Sequence, residues 1–194
     1  MYYIEFENKI VLADDNLGRL RTTLQCRPEY EGLEIKETER PLVQGDGEYI
    51  YADTPEYIAK QLDEAKQAKY DEANTGAKFF LESGNALFEF AEGKHIEATD
   101  GNIAKLTAYA LAFVTGQLQP TDTVVWNTKE DETVELNQEQ IVTIINGLGA
   151  VQALVWSVQF PQYVQAIETA ETIEEVEAIE IIYTSEIPQE GIDV

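Results

Sequence analysis

The chain has 194 residues, of which 13 are Lys or Arg and 37 are Asp or Glu, so its formal net charge is −24. A surface this negative repels the phosphates of nucleic acids and of anionic membranes, and we expect neither as a partner. An apolar content of 44% indicates one or two folded domains with a hydrophobic core and excludes a disordered chain.

The single cysteine, Cys26, excludes an intramolecular disulfide and a zinc site built from several cysteines. We expect it to be a small buried apolar side chain, with a reactive thiol as the alternative. The opening MYYIEFENK has neither the basic start nor the apolar run of a secretory signal. No run approaches the roughly 20 apolar residues of a membrane span. These features predict a soluble protein of a reducing compartment.

Residues 1–53 are predicted to form a small β-rich unit. YYIEF and KIVLA are β-prone runs separated by a turn at Glu7-Asn8. LEIKE, PLVQ and EYIYA follow, and the last two flank the turn signal Gly45-Asp46-Gly47. Between these runs, residues 14–32 fit either a short helix or a loop.

A helix start follows this unit. Thr54 suits the N-cap, Pro55 the first helical position, and Glu56 the positive end of the helix dipole. The helical pattern after it has only a thin apolar stripe, which predicts a solvated helical connector over residues 54–74. The sequence Asn74-Thr75-Gly76 is expected to end it.

Residues 75–136 alternate between strand and helix patterns. AKFFLE, ALFEFAE and KHIEA are three predicted strands. A helix capped by Thr99 or Asp100 and closed by Gly116 follows. TVVWNT and TVEL then form a predicted hairpin around the polar turn 129–132.

The strongest helix signal starts at Asn137, which can form a capping box with Gln140. A core-facing stripe follows at three- and four-residue spacing: Ile141, Ile144, Ile145, Leu148, Val151, Val155 and Val158. Gly147 and Gly149 inside this helix indicate either a close approach of another backbone or a local distortion. Pro161 is expected to break or kink the helix.

The acidic stretch TIEEVEAIEI closes the predicted C-terminal domain, residues 75–181. Thr172 and Glu175 have capping-box spacing, and glutamates in a first turn favour the helix dipole. Residues 182–194 are left as a C-terminal tail. The predicted fold class is α+β: an N-terminal β-rich unit, a helical connector, and a domain of antiparallel strands packed with helices.

The sequence offers no catalytic constellation. His95 is the only histidine, and no serine lies in a G-x-S-x-G motif. There is also no glycine-rich phosphate loop. With 37 acidic residues, a carboxylate pair at glycosidase spacing arises by chance. We therefore expect no catalytic residues and no cofactor.

Two further patterns are weak as ligand sites. The acidic turn 129–132 is expected to be a tight turn and not an ion site, so no metal ligand is assigned. Trp126 and Trp156 are expected to anchor packing and not to form a ligand platform.

Residues 75–181 resemble a domain of unknown function found at the C-terminal end of many tailed-bacteriophage and prophage tail proteins. In that family a strand with Trp and a polar turn lead into a long helix, and a short acidic helix closes the domain. The matching residues are Trp126, Val134, Leu136, Glu139, Ile167, Thr172, Glu174, Glu175, Val176 and Ile179. Where the family often carries an acidic-and-Arg segment before its first helix, this chain has Lys105.

The resemblance implies a tail module without established catalytic residues. It predicts a tail-fibre assembly protein, a chaperone that binds the fibre in the cytoplasm of the bacterial host. The alternative is a component of the distal tail or baseplate retained in the virion. A tail-associated wall hydrolase and an acidic DNA mimic are rival classes, and a homo-oligomer is left open.

The N-terminal unit is where we predict the partner contact. Tyr offers a large contact area at low entropic cost, and we expect exposed tyrosines there to recognise the partner. The predicted partner-binding residues are Tyr2, Tyr3, Tyr49 and Tyr51.

Overall fold

The computed structural model describes residues 1–45 and 48–186, and it has the α+β architecture that the sequence predicts. It divides into an N-terminal unit, Met1–Ala65, and a C-terminal unit that begins at Lys66. Asp46 and Gly47 of the predicted turn, and residues 187–194 of the predicted tail, lie outside the described residues.

A five-stranded antiparallel sheet forms the N-terminal unit, with strand order β3-β1-β2-β5-β4. The strands are β1 (Tyr2–Phe6), β2 (Lys9–Asp14), β3 (Ile35–Glu37), β4 (Leu42–Gly45) and β5 (Glu48–Tyr51). Glu7 and Asn8 have φ values of 52° and 64°, as two-residue hairpin turns of the primed type require. The predicted β1–β2 turn is confirmed.

The segment 14–32 contains helix α1 (Leu17–Gln25) and a 3-10 turn, Pro28–Tyr30. Leu20 is the buried residue of α1, which packs on β1 and β2. Cys26 follows as the C-cap and is exposed. The prediction of a buried cysteine is wrong, because a helix with a single buried side chain leaves its end in solvent.

Helix α2 spans Pro55–Glu82 and differs most from the prediction. The predicted strand AKFFLE is wrong, since it forms the last turns of this helix, and Asn74-Thr75-Gly76 do not end it. The helix buries one face here: Ala73, Ala77 and Leu81. Burial of that face offsets the roughly 1 kcal/mol that a glycine inside a helix costs. The predicted connector boundary at residue 74 therefore lies inside a helix.

Up to residue 186, where the described part of the chain ends, two hairpins and four α-helices follow α2 in the C-terminal unit. The hairpins are β6 (Leu87–Ala91) with β7 (Lys94–Glu97), and β8 (Val124–Asn127) with β9 (Thr133–Leu136). The helices are α3 (Asp100–Val114), α4 (Gln138–Ala153), α5 (Phe160–Thr169) and α6 (Ile173–Glu177). Thr99 caps α3, and Gly116 follows its end with φ of 72°, as expected.

Both predicted capping boxes are confirmed. The Asn137 side chain accepts from the Gln140 N–H while the Gln140 side chain accepts from the Asn137 N–H. Thr172 and Glu175 form the same pair at the start of α6, whose glutamates are exposed. The acidity of this last helix is therefore explained by capping and solvation.

Pro161 does not break the helix that precedes it. Residues Leu154–Gln159 widen into a π-helix, in which the Phe160 N–H donates to the Val155 carbonyl five residues earlier. A widened turn makes room for the proline ring, which would clash with a carbonyl in regular α geometry. The widening also turns Val158 outward to 44% exposure, so its predicted place in the core stripe is wrong.

The core of the C-terminal unit lies along α4. Ile141, Ile144 and Leu148 are fully buried, and Trp126 and Trp156 pack against the same core, as predicted. The continuous helix Gln138–Thr169 is long and apolar enough to cross a membrane by length and composition, since its most apolar 18-residue window has a mean hydropathy of 1.7. By this measure the expectation that no run approaches a membrane span is wrong. Its buried stripe is the pattern of a core helix.

Candidate functional site

A cleft of about 950 Å³ lies in the N-terminal unit, between one face of the sheet and the first turns of α2. Four tyrosines line it: Tyr3, Tyr49, Tyr51 and Tyr57. We call it the tyrosine cleft. It brings together aromatic rings from two strands and one helix.

Strand alternation aims the sheet tyrosines at one face. On β1, Ile4 is buried, whereas its neighbours Tyr3 and Glu5 line the cleft. Tyr49 and Tyr51 are two residues apart on β5 and share a face for the same reason. Tyr57 comes from α2, where its backbone N–H donates to the capping Thr54 Oγ1 at 3.3 Å. The N-cap thus helps to fix the turn that carries Tyr57.

The ring of Tyr51 is held in place by Arg40. The guanidinium carbon lies 3.9 Å from the ring centroid, a cation–π contact. Arg40 also donates to both oxygens of Asp53 at 2.7–3.1 Å, and these bonds lower the pKa of Asp53. Hydrogen bonding with Tyr51 raises the pKa of Tyr3. The Tyr3 phenol is therefore neutral and able to donate at physiological pH.

Ion pairs surround the tyrosine cleft. They are Lys9–Glu48, Lys36–Glu5 at 2.6 Å and Lys60–Glu64 at 3.8 Å. The bond to Glu5 raises the pKa of Lys36. Since these carboxylates face cations, what the cleft offers a ligand is chiefly aromatic surface and phenol hydroxyls. Within residues 1–45 and 48–186, no group of three or more His, Cys, Asp or Glu could hold a metal ion.

His95 and the turn 129–132 meet in the C-terminal unit. The His95 backbone N–H donates to Glu130 Oε2 at 3.0 Å, and its ring Nδ1 lies 2.8 Å from Glu130 Oε1. The backbone bond is the main cause that lowers the pKa of Glu130 to about 2. Two ion pairs flank this contact: Lys94–Glu132 at 3.0 Å and Lys129–Glu97 at 2.6 Å. Glu130 and Glu132 of the turn thus join the two hairpins, and Glu132 has a lysine partner.

The predicted partner-binding tyrosines are half-buried, not exposed as the sequence suggested. Tyr3, Tyr49 and Tyr51 line the cleft. Tyr2 does not, because it alternates with Tyr3 along β1, where it pairs with Asp14. The sequence analysis missed Tyr57 and Arg40. The sequence places Tyr57 in the first turn of α2, three residues after Thr54. It does not show that the Tyr57 side chain points towards the sheet.

Comparison of the chain with known protein families, with curated protein sequences and with solved structures finds no match.

Proposed function

We propose that this protein acts by binding another protein, without turnover, and that the tyrosine cleft is its contact surface. The observation that carries the proposal is the convergence of Tyr3, Tyr49, Tyr51 and Tyr57 on one open cleft of about 950 Å³. Tyrosines dominate many binding surfaces because each provides an amphipathic ring and a hydroxyl with only two side-chain torsions to order.

The chemistry of the cleft favours a polypeptide ligand. Half-buried phenols present ring faces for apolar side chains and hydroxyls for backbone carbonyls of an extended segment. Three of the four carboxylates that line the cleft have lysine partners: Glu5, Glu48 and Glu64. Only Glu56 is left among them, which is no array of like charges for a small ionic substrate.

The resemblance of residues 75–181 leads us to propose a tail-fibre protein as the partner, and assembly chaperone in the host cytoplasm as the role. A net charge of −24 would keep such a helper soluble beside a β-rich fibre that is prone to associate. Retention in the distal tail is the alternative role.

Co-expression of the chain with the tail-fibre protein of the same genome tests the proposal. Tyr3→Ala and Tyr57→Ala each remove part of the proposed contact. Each should lower the amount of soluble fibre protein that co-purifies about tenfold or more, as expected for an anchor residue. Tyr2→Ala is the matched control, since Tyr2 lies beside Tyr3 on β1 but outside the cleft.

Equal fibre yield with and without the chain would reject the chaperone role. Equal losses of co-purified fibre protein in the Tyr2→Ala and Tyr3→Ala variants would reject the cleft as the contact surface. Co-purification of the chain with intact virions would identify the structural role instead.

A further inference from the structure

The segment 180–186 lies extended against the helices of the C-terminal unit. The Gln159 amide forms two hydrogen bonds with the Thr184 backbone, from Nε2 to the carbonyl at 2.8 Å and from the Thr184 N–H to Oε1 at 3.1 Å. The Tyr163 hydroxyl does the same at Ile182, donating to the carbonyl and accepting from the N–H at 3.0 Å. Gln159 and Tyr163 are four residues apart on one helix face. They bind the backbone of Thr184 and Ile182, which are alternate residues of an extended segment.

The intervening Tyr183 is the side chain that anchors the segment. Its ring packs against Tyr163 and Phe80, with centroids 5.4 and 6.2 Å away, and its hydroxyl donates to the Ala73 carbonyl at 2.8 Å. Gly76 lies beside this ring, since a Cβ there would meet it at 3.4 Å, an ordinary van der Waals contact. Burial raises the pKa of Tyr183 to about 12 and keeps the hydroxyl a neutral donor.

Among the other side chains of the segment, Ile181 is half-buried, and its Cγ2 would lie 3.7 Å from a Cβ at Gly76. Ile182 is 69% exposed, and Thr184 is exposed as well. In the part of the chain that the structure describes, residues 180–186 form no backbone–backbone hydrogen bond. The segment is therefore held through Tyr183, through Ile181 beside Gly76, and through main-chain groups that any extended peptide possesses.

The negative charge of the C-terminal unit disfavours the binding of its own segment 180–186, which is acidic as well. The C-terminal unit, Lys66–Val194, contains 6 basic and 22 acidic residues, a net charge of −16, and Glu180 and Glu186 flank the segment. A peptide with basic residues in those two places would be attracted where the chain's own segment is repelled.

We propose that the groove formed by Ala73, Gly76, Phe80, Gln159 and Tyr163 is a binding site for an extended segment of another protein, one with a tyrosine between basic flanks. The chain's own residues 182–184 occupy the site as an intramolecular competitor. Their tether gives them a high effective concentration, on the order of millimolar, so an incoming segment must bind more tightly than they do.

The test uses two labelled peptides: EIIYTSE, which copies residues 180–186, and KIIYTSK. Binding is measured to the full-length chain and to its Tyr183→Ala variant, in which the anchor of the competitor is removed. We expect KIIYTSK to bind the variant at least tenfold more tightly than the wild type, and more tightly than EIIYTSE does. Adding Gln159→Ala should weaken binding about tenfold or more, whereas Gln162→Ala, an exposed glutamine of the same helix, should not.

A second measurement uses the wild-type chain and does not depend on any variant folding. Excess KIIYTSK should speed hydrogen exchange at the Ile182 and Thr184 amides, because it displaces the segment that protects them. Unchanged exchange, or equal affinity for the Gln159→Ala and Gln162→Ala variants, would overturn the proposal. Since Tyr3→Ala should leave peptide binding unaltered, this site can fail or succeed independently of the tyrosine cleft.

Discussion

The two units of this protein are stabilised in different ways. The C-terminal unit buries a continuous apolar core along α4, whereas the described part of the N-terminal unit has only four buried apolar side chains: Ile4, Ile10, Leu20 and Leu42. Exposed ion pairs tie the strands of the N-terminal sheet to one another and to its loops, and such pairs contribute little to stability. The N-terminal unit therefore has a small core and an open aromatic cleft, whereas packing along α4 stabilises the C-terminal unit.

The largest expected effect comes from a charge in the C-terminal core. Ile144→Asp places an unpaired carboxylate at a fully buried position, at a cost of several kcal/mol out of a total stability of ~5–15. We expect this unit to unfold. Tryptophan fluorescence reports it alone, since Trp126 and Trp156 both lie there. Val142→Asp, at a position 43% exposed on the same helix, is the control and should melt nearly normally.

A glycine pair in α4 tests how tightly that core is packed. A Cβ at Gly147 would overlap the Phe88 ring, whereas one at Gly149 meets open space. We expect Gly147→Ala to destabilise by about 1–3 kcal/mol through overpacking. Gly149→Ala should stabilise by up to ~1 kcal/mol through helix propensity. Urea unfolding measures both, and equal effects would show that α4 does not pack closely on β6.

Acid should weaken the C-terminal unit through Glu130. Its pKa is lowered to about 2 from an ordinary 4.5, so its contribution is complete above pH 4.5 and is lost as the pH falls through 2. Glu130→Gln should be less stable than the wild type at pH 6, and the difference should narrow towards pH 2. A constant difference in melting temperature across this range would contradict the assigned contact.

The smallest effect is expected in the N-terminal unit. Arg40→Gln removes the contacts with Tyr51 and Asp53 that flank the Ala52–Pro41 backbone hydrogen bond. Because the pair is exposed, exchange of the Ala52 amide should quicken by no more than about fivefold. Arg21→Gln is the control, since Arg21 forms no ion pair within the described ranges. A loss of the whole sheet would show that charge pairs, and not its small core, hold this unit together.

Much of the fold could be predicted because the decisive interactions are local. The capping residues Thr99, Asn137 and Thr172 act on backbone groups within three residues. Asn137 and Thr172 cap where the sequence placed them, and Thr99 is one of the two candidates that it gave. The hairpins follow from alternating strands and short turns. For the candidate site, Tyr3, Tyr49 and Tyr51 were identified as a group by residue type, and Tyr2, which was predicted with them, lies outside the cleft.

What the sequence by itself determined is the set of elements whose ends and faces depend on neighbours within about one helical turn. Only the tertiary structure decided that α2 continues through Gly76, because burial of Ala77 and Leu81 against distant residues outweighs the local cost of that glycine. It also decided that Tyr57 turns towards the sheet and that Tyr183 enters its groove. Those contacts join residues far apart in the chain, and therefore no local sequence pattern predicts them.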